Sequence, residues 1–160
     1  MNDITYAYKR FCTERFPLPT DAQVSELEWR IRVVFPKDYR EFVLQFNGGY
    51  FDDPVIAPVP DGCPLETLTY MSGIGASHPG AELGRDDLLS VFDGNVPPII
   101  VPIGYTGLGS LVILRTGDEE HGAIYLKEAF GGFHYLAEGI EGFFDLLRSP
   151  DMSANAGGGD

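Results

Sequence analysis

The sequence has few basic residues and no long apolar run. Lys and Arg number 11 against 24 Asp and Glu, which gives a formal net charge of −13. A field of that sign repels nucleic-acid phosphates and anionic lipid headgroups, so we expect neither a nucleic-acid partner nor a membrane partner, and a basic protein instead. No apolar stretch approaches the roughly 20 residues that a membrane-spanning helix needs.

Cysteine is scarce, and the N-terminus lacks a secretory signal. The first residues, MNDITYAYKRF, contain no basic block followed by an apolar block. Cys12 and Cys63 form neither a CxxC motif nor a metal-ligand spacing. Two isolated thiols fit a reducing compartment, so we expect a cytoplasmic protein in which both cysteines are small buried residues.

Catalytic motifs are also missing. The three histidines, His78, His121 and His134, stand apart and form no metal-binding spacing. Gly104, Gly107 and Gly109 precede LVILR, a strand-like run, which indicates a hairpin turn and not a phosphate-binding loop. We therefore expect no catalytic residues, no cofactor and no enzymatic activity.

Acidic clusters are the remaining candidates for chemistry, and they are Asp52–Asp53, Asp86–Asp87 and Asp118–Glu119–Glu120. Paired carboxylates can bind Mg²⁺ or Ca²⁺, but none of these clusters has the spacing of an EF-hand loop. A solvated or partner-binding surface is the favoured interpretation, and a metal-dependent hydrolase using Asp52–Asp53 or Asp86–Asp87 stays as an alternative.

The first third of the chain has helical periodicity. Apolar spacing predicts a helix over residues 3–16, which the prolines at 17 and 19 end. Thr20 and Gln23 form a capping box before a second helix, and Pro36 both stops that helix and opens a third. Their apolar faces are Val24, Leu27, Ile31 and Val34, and then Tyr39, Phe42, Val43 and Phe46. Asn47-Gly48-Gly49 provides a left-handed end for the third helix.

The remainder of the chain is strand-rich. We predict strands at 65–71, 99–103, 111–114, 123–126 and 133–136, a short helix at 86–92 with a turn at 93–95, and a closing helix marked by Ile140, Phe143, Phe144 and Leu147. Helices, then hairpin-linked strands, then one helix indicate a single α+β domain with a largely antiparallel sheet.

One stretch carries a family resemblance. LEWRIRVVFPKDYREFVLQFNGG, from Leu27 to Gly49, resembles the signature of the SUKH superfamily, which includes yeast cell-wall assembly regulators and many bacterial toxin-immunity proteins. The matching positions are Glu28, Pro36, Asp38, Tyr39, Phe42, Asn47, Gly48 and Gly49. VPPIIVPIGYTGLGSLVIL, with Gly104 and Gly109, is similar to a later strand–turn–strand of that family, and GAIYL and EGFFDLL to its following strand and closing helix.

The resemblance spans about residues 20–148, and it has two departures. Members of the family often carry Asn or Asp after the turn glycine, where this chain has Ser110, and Trp or Asp and then His after a later strand, where this chain has Lys127-Glu128-Ala129. The resemblance implies a SUKH-like domain at 20–148, with a central sheet flanked by helices, an N-terminal helix or arm at 1–19 and a flexible tail at 149–160. It supplies no catalytic residues, and the motif residues have structural explanations.

Two hypotheses follow from the resemblance and the charge. The first is an immunity protein that binds and neutralises a cognate polymorphic toxin, possibly a nuclease, as a monomer or weak dimer. The second is a regulatory or scaffold protein of the yeast kind, without a toxin partner. We predict a partner-binding surface of loops that contains Tyr50, Phe51, Asp52, Asp53, Asp86, Asp87, Asp118, Glu119 and Glu120. The alternative is that Tyr50 and Phe51 belong to the core and the acids are only solvated.

Overall fold

The computed structural model describes residues 3–57, 65–85 and 99–149. The described helices are α1 (Asp3–Phe11), α2 (Asp21–Ile31), α3 (Lys37–Gln45) and α4 (Ile140–Asp145), with a 3₁₀ turn at Pro79–Ala81. The described strands are β1 (Cys12–Arg15), β2 (Gly49–Phe51), β3 (Val55–Ile56), β4 (Leu68–Met71), β5 (Ile100–Thr106), β6 (Leu111–Arg115), β7 (Ile124–Lys127), β8 (Phe133–Ala137) and β9 (Leu147–Arg148).

The N-terminal helix is shorter than the sequence predicts. Its buried face, Ile4, Tyr8 and Phe11, has helical spacing, but the chain changes to strand β1 at Cys12. β1 pairs antiparallel with β2, and the register shifts between Cys12 and Glu14. The predicted helix over residues 12–16 is therefore wrong, because pairing with β2 satisfies these backbone groups instead.

Helix α2 begins at the predicted capping box. Thr20 Oγ1 accepts a hydrogen bond from Gln23 N at 3.2 Å, and Gln23 Oε1 accepts one from Thr20 N at 2.8 Å. The helix ends at Ile31 because Arg32 takes a left-handed conformation with φ of 60°. The spacing predicts Val34 on the buried face of the helix. This prediction is wrong, because Val34 lies beyond the turn at Arg32 and is 77% exposed.

Helix α3 follows Pro36 and ends as predicted. Tyr39, Phe42 and Val43 face the core, and Phe46 packs against it while half-buried. Asn47, Gly48 and Gly49 have φ of 67°, 118° and 148°. The three positive angles turn the chain directly from α3 into β2.

The described strands form one large antiparallel sheet and one small one. The large sheet has seven strands in the order β1-β2-β4-β5-β6-β7-β8, and β3 pairs with β9 in a two-stranded sheet. This α+β architecture confirms the predicted fold class. Helix α4 confirms the start of the closing helix, but Leu147 lies in strand β9 and not in that helix.

The large sheet has an inner and an outer face. Side chains such as Met71, Val112 and Leu126 lie in one cross-strand row on the inner face and join the buried cluster with the four described helices. Residues one step along each strand point to the outer face. The predicted helix at 86–92, the turn at 93–95, Cys63 and tail residues 150–160 lie outside the described residues.

Candidate functional site

Glu28 holds the corner between α2 and α3. Its Oε2 accepts a hydrogen bond from Phe35 N at 2.8 Å, and its Oε1 accepts one from Arg40 Nε at 3.1 Å. Arg40 also reaches Asp21 Oδ1 at 2.6 Å and Ser25 Oγ at 2.8 Å. The hydrogen bonds that Arg40 donates to Asp21 and, second, to Glu28 raise the pKa of Arg40. Glu28 therefore has a structural role that ties two helices together.

Asn47 joins three separate loops from a fully buried position. Its Nδ2 donates to Pro17 O at 2.7 Å and to Ile74 O at 2.8 Å, and its Oδ1 accepts from Ile74 N at 2.8 Å. A buried amide with these partners contributes to stability and fixes the loop positions. It is not available to a ligand.

The motif glycines are required by close backbone packing. A Cβ on Gly48 would lie 2.6 Å from Met71 O, and one on Gly49 would lie 2.5 Å from Glu14 O. A Cβ on Gly104 would lie 3.0 Å from Met71 Sδ, and Gly109 has φ of 85°. Of the remaining signature residues, Pro36, Tyr39 and Phe42 are buried, and the exposed Asp38 accepts hydrogen bonds from Tyr39 N and Ile140 N. The contacts of the whole signature are those of a fold-defining motif.

The structure separates the predicted aromatic anchors. Tyr50 is half-buried on the outer face, where its ring contacts Tyr70 and His78. Phe51 is 5% exposed and packs against Tyr8 and Phe144, with ring centroids 5.2 and 6.1 Å away. Phe51 is thus a core residue and does not belong to a surface that a partner could reach.

The acidic clusters lie at opposite ends of the sheet. Asp52 and Asp53 are exposed and follow β2, at the end that also carries the β5–β6 and β7–β8 turns. The residues 118–120 are exposed in the β6–β7 turn, at the other end. Asp86 and Asp87 lie outside the described residues. Within the described ranges, no group of three or more His, Cys, Asp and Glu side chains is arranged to hold a metal ion.

A row of aromatic side chains crosses the outer face. Tyr50, Tyr70 and Tyr105 are neighbours on β2, β4 and β5, with centroid distances of 5.9 Å and 5.4 Å between successive rings. Leu111, Lys127 and Phe133 continue this row on β6, β7 and β8. The next row towards the middle of the outer face contains Ile113, which is buried. A partner therefore cannot reach this side chain.

Exposed apolar side chains therefore concentrate at one margin of the sheet. We call this set the aromatic margin, and it consists of Tyr105, Leu108, Phe130, Phe133 and Tyr135, all exposed. Lys127 organises it, because its Nζ donates to the carbonyl oxygens of Glu128 and Gly131 and lies 5.6 Å from the centre of the Phe133 ring. Phe130, at the tip of that turn, is fully exposed.

The sequence contains a signal for this margin that our predictions missed. Phe133 and Tyr135 alternate with His134 and Leu136 along a predicted strand, so they must share one face. Alternation alone does not tell which face is buried, and both sets are apolar enough to be core. The sequence therefore predicts the partner-binding surface on the acidic loops and not on this strand.

Charge is unevenly distributed over the described chain. Residues 99–149, which form the β5–β8 meander and α4, contain seven Asp or Glu and three Lys or Arg. Residues 3–57 contain nine acidic and seven basic residues. The segment that contains the aromatic margin therefore carries the larger net negative charge of the two.

A second exposed apolar site lies on the helical side. Trp29 is 82% exposed on the face of α2 opposite its buried residues, beside the exposed Val34. A groove of about 560 Å³ runs along this corner, lined by Glu28, Trp29, Arg30, Arg32, Val33 and Val34. Arg30, Arg32 and Glu28 are the charged residues that line this corner.

No helix within the described ranges has the length and apolar character needed to cross a lipid bilayer. The family model for the SMI1 / KNR4 family (SUKH-1) matches residues 18–146 of the chain. A search of curated proteins finds no match. The matched span includes the whole 27–49 signature and the strands that carry the aromatic margin.

Proposed function

The chain belongs to the SMI1 / KNR4 family (SUKH-1), and from this premise we propose that it is a protein-binding module that captures and neutralises a cognate polymorphic toxin. It works by occupying a surface of its partner and not by catalysing a reaction. The signature residues serve the fold, so specificity for the partner lies in the exposed surface.

The observation that carries this proposal is the aromatic margin. Contiguous exposed apolar groups are typical of interaction sites, and Tyr and Phe are suited to protein interfaces because they bury a large area with few rotatable bonds. Tyr105, Phe133 and Tyr135 are supported from below by a paired sheet, which fixes their backbone. A rigid aromatic surface loses little entropy when a partner docks.

The acidity supports a basic partner, and a nuclease has the required chemistry. A nuclease presents Lys and Arg to substrate phosphates, so an acidic protein can cover that surface. Complementary charge mainly increases the association rate, in a salt-dependent way, while buried aromatic contacts determine dissociation. We propose that the exposed carboxylates increase the association rate and that the aromatic margin slows dissociation.

The acidic-loop prediction becomes testable because the two described clusters lie at opposite ends of the sheet. The Asp52→Asn/Asp53→Asn variant changes the end shared with Leu108 and Phe130, and Asp118→Asn/Glu119→Gln changes the other end. If the partner docks on the aromatic margin, the first variant slows association more than the second, measured by surface plasmon resonance at low and high salt. Equal association rates for both variants and the wild type would remove the loops from the interface.

The proposed function is tested by co-expression with a basic toxin encoded beside this chain. We expect growth rescue and a stable complex by size-exclusion chromatography. Phe130→Ser/Tyr135→Ser should lose rescue while keeping the wild-type urea midpoint, since both side chains are exposed. Failure of the wild type to rescue growth, together with no complex, would contradict the proposal.

The Trp29 corner favours a second candidate, a scaffold or regulatory protein. Two separate exposed apolar sites, one on α2 and one on the sheet, allow two partners to bind at once. A pull-down in which Trp29→Ser removes one housekeeping partner and Phe130→Ser removes another would support this candidate. Loss of a single toxin in the Phe130→Ser pull-down alone would favour the immunity function.

A further inference from the structure

The two edge strands of the seven-stranded sheet differ in how they are protected. β1 carries Glu14 and Arg15, and charged side chains discourage pairing with a further strand. Both edge strands have a register shift against their neighbour, β1 between Cys12 and Glu14 and β8 between Tyr135 and Ala137, so the difference between the edges is one of charge. β8, at the other edge, reads Phe-His-Tyr-Leu-Ala over residues 133–137 and contains neither Lys, Glu nor Pro. Among the described residues, β8 pairs with β7 on one side and with no strand on the other.

An edge strand without charged side chains or proline is a template for a further strand. Alternate residues of an edge strand direct their N–H and C=O groups away from the sheet, where an added strand can bond to them. Phe133 and Tyr135 point to the outer face and are 50% and 53% exposed. Their rings stand beside the position of an added strand, so its side chains on that face would contact them.

The residues around β8 determine which charge an added strand should carry. A cavity of about 300 Å³ at the C-terminal end of β8 is lined by Glu120, His121, Ala123, Tyr135 and Glu138. Glu120 is held there by a hydrogen bond of 2.7 Å from Tyr125 Oη. Glu128 precedes the other end of the strand. Glu128 Oε1 already lies 3.2 Å from His134 Nε2, so Glu120 and Glu138 at the cavity are the carboxylates that favour a Lys or Arg on the incoming segment. The Tyr135 ring offers cation–π contact to that residue.

A second copy of this chain does not meet these conditions. Antiparallel pairing of β8 with its own copy would bring Glu138 of one chain towards Glu128 of the other, and each chain has a net charge of −13. Like charges brought together across a strand pair are destabilising. The occupant that fits is therefore an extended basic segment of another protein.

We propose that the free edge of β8 binds an extended segment of alternating apolar and basic residues by strand addition, so that the sheet gains an eighth strand. This inference rests on the proposed protein-binding function and specifies which element binds and which backbone chemistry it recognises. The main-chain hydrogen bonds supply a part of the affinity that does not depend on the segment's sequence, and the acidic cavity and the two rings supply selectivity.

The test uses the full chain and three synthetic peptides of equal length, one alternating Lys and Val, one alternating Glu and Val, and one alternating Lys and Pro. NMR measures chemical-shift changes and amide hydrogen exchange. We expect the Lys–Val peptide to slow exchange of outward-facing amides in residues 133–137, and the Glu–Val peptide to have no effect. The Lys–Pro peptide has the same charge, but proline fixes φ at about −65° and disfavours the extended strand conformation, so it should not slow exchange.

Matched variants separate the edge from charge in general. Tyr135→Lys should weaken the Lys–Val peptide by about tenfold, because it adds a like charge and removes a contact. Trp29→Lys adds the same charge at an exposed aromatic position on α2, outside the edge strand, and should bind like the wild type. Equal effects of the Lys–Val and Lys–Pro peptides, or protection of β8 in the protein alone that grows with its concentration, would overturn the inference.

The outcome is distinguishable from that of the proposed function. A cognate toxin whose complex with Tyr135→Lys is as tight as with the wild type would refute the edge while leaving toxin binding intact. Slower amide exchange in β8 with the peptide, without growth rescue or a complex in co-expression, would support strand addition at the edge and refute the toxin-neutralising function.

Discussion

Gly73 has no room for a side chain. A Cβ at this position would lie 2.1 Å from the carbonyl oxygen of Asn47 and 2.9 Å from the Phe16 ring. Both neighbours are held in place, since Asn47 bonds three loop groups and Phe16 is buried against Tyr50. The junction between α3, β4 and the N-terminal loop thus depends on a residue outside the recognised signature.

Gly73→Ala should therefore lower the free energy of unfolding by about 3 kcal/mol, the upper range for forcing an atom into a packed site. Urea denaturation measures this change. Gly132→Ala is the matched control, because a Cβ there has no neighbour within 4 Å, and it should stay within about 0.5 kcal/mol of the wild type. Equal midpoints for the two variants would contradict the packing argument.

At the scale of elements, the corner between α2 and α3 contains a residue in a strained backbone conformation. Arg32 has φ of 60° and ψ of 44°, a conformation that glycine adopts freely and other residues rarely adopt. Its backbone N–H and that of Val33 both donate to Glu28 O, which completes the helix end.

Arg32→Gly should make the protein more stable than Arg32→Ala by about 1 kcal/mol, because both variants lose the same guanidinium and only glycine relieves the strain. Differential scanning calorimetry of the two variants measures the difference as a higher Tm for the glycine variant. A Tm for Arg32→Ala equal to or above that of Arg32→Gly would show that this corner is not strained.

The same corner shows what sequence periodicity can and cannot predict. The capping box and the Asn47-Gly48-Gly49 end could be predicted because each depends on neighbours within a few residues. Val34 was placed on the buried face because it continues the spacing of Ile31, and no local signal shows that Arg32 reverses the chain. β1 was missed because its Cys-Thr-Glu-Arg sequence has no apolar alternation and forms only through β2.

The candidate site was predicted less well than the fold, and the reason is long-range. The exposure of Tyr135 and the burial of Phe51 depend on which face of the sheet the helices cover, and strand alternation is the same in both cases. The separation of Asp52 from Asp118 likewise follows from strand order, which no local pattern contains. The family resemblance indicated a central sheet flanked by helices without identifying the surface.

At the scale of the whole molecule, two tyrosine hydroxyls are sealed between the helices and the sheet. Tyr8 and Tyr39 are buried, and neither Oη has a hydrogen-bond partner among the described residues. Burial raises the pKa of both phenols well above the usual value near 10. The folded protein therefore keeps both protonated at a pH where an unfolded chain ionises them.

The contribution of these two tyrosines to stability should consequently be constant below about pH 10 and fall above it, by up to about 1.4 kcal/mol per pH unit for each of them. The sign follows because the unfolded state releases protons that the folded state retains. Tyr39→Phe removes one of the two groups, so its urea midpoint should fall less between pH 9 and pH 11. Tyr6→Phe, at an exposed position, serves as the control. A parallel fall in Tyr39→Phe and the wild type would contradict this account.

Trp29 is the single tryptophan of the chain, and its exposure has a spectroscopic consequence. An indole that is already in water emits at nearly the same wavelength in the folded and the unfolded chain, so intrinsic tryptophan fluorescence will be nearly silent during denaturation. The same property makes it a clean optical reporter of docking at the α2 corner. A blue shift of its emission on mixing with a partner would register contact there, undisturbed by signal from the core, while a partner seated on the aromatic margin would leave the spectrum unchanged.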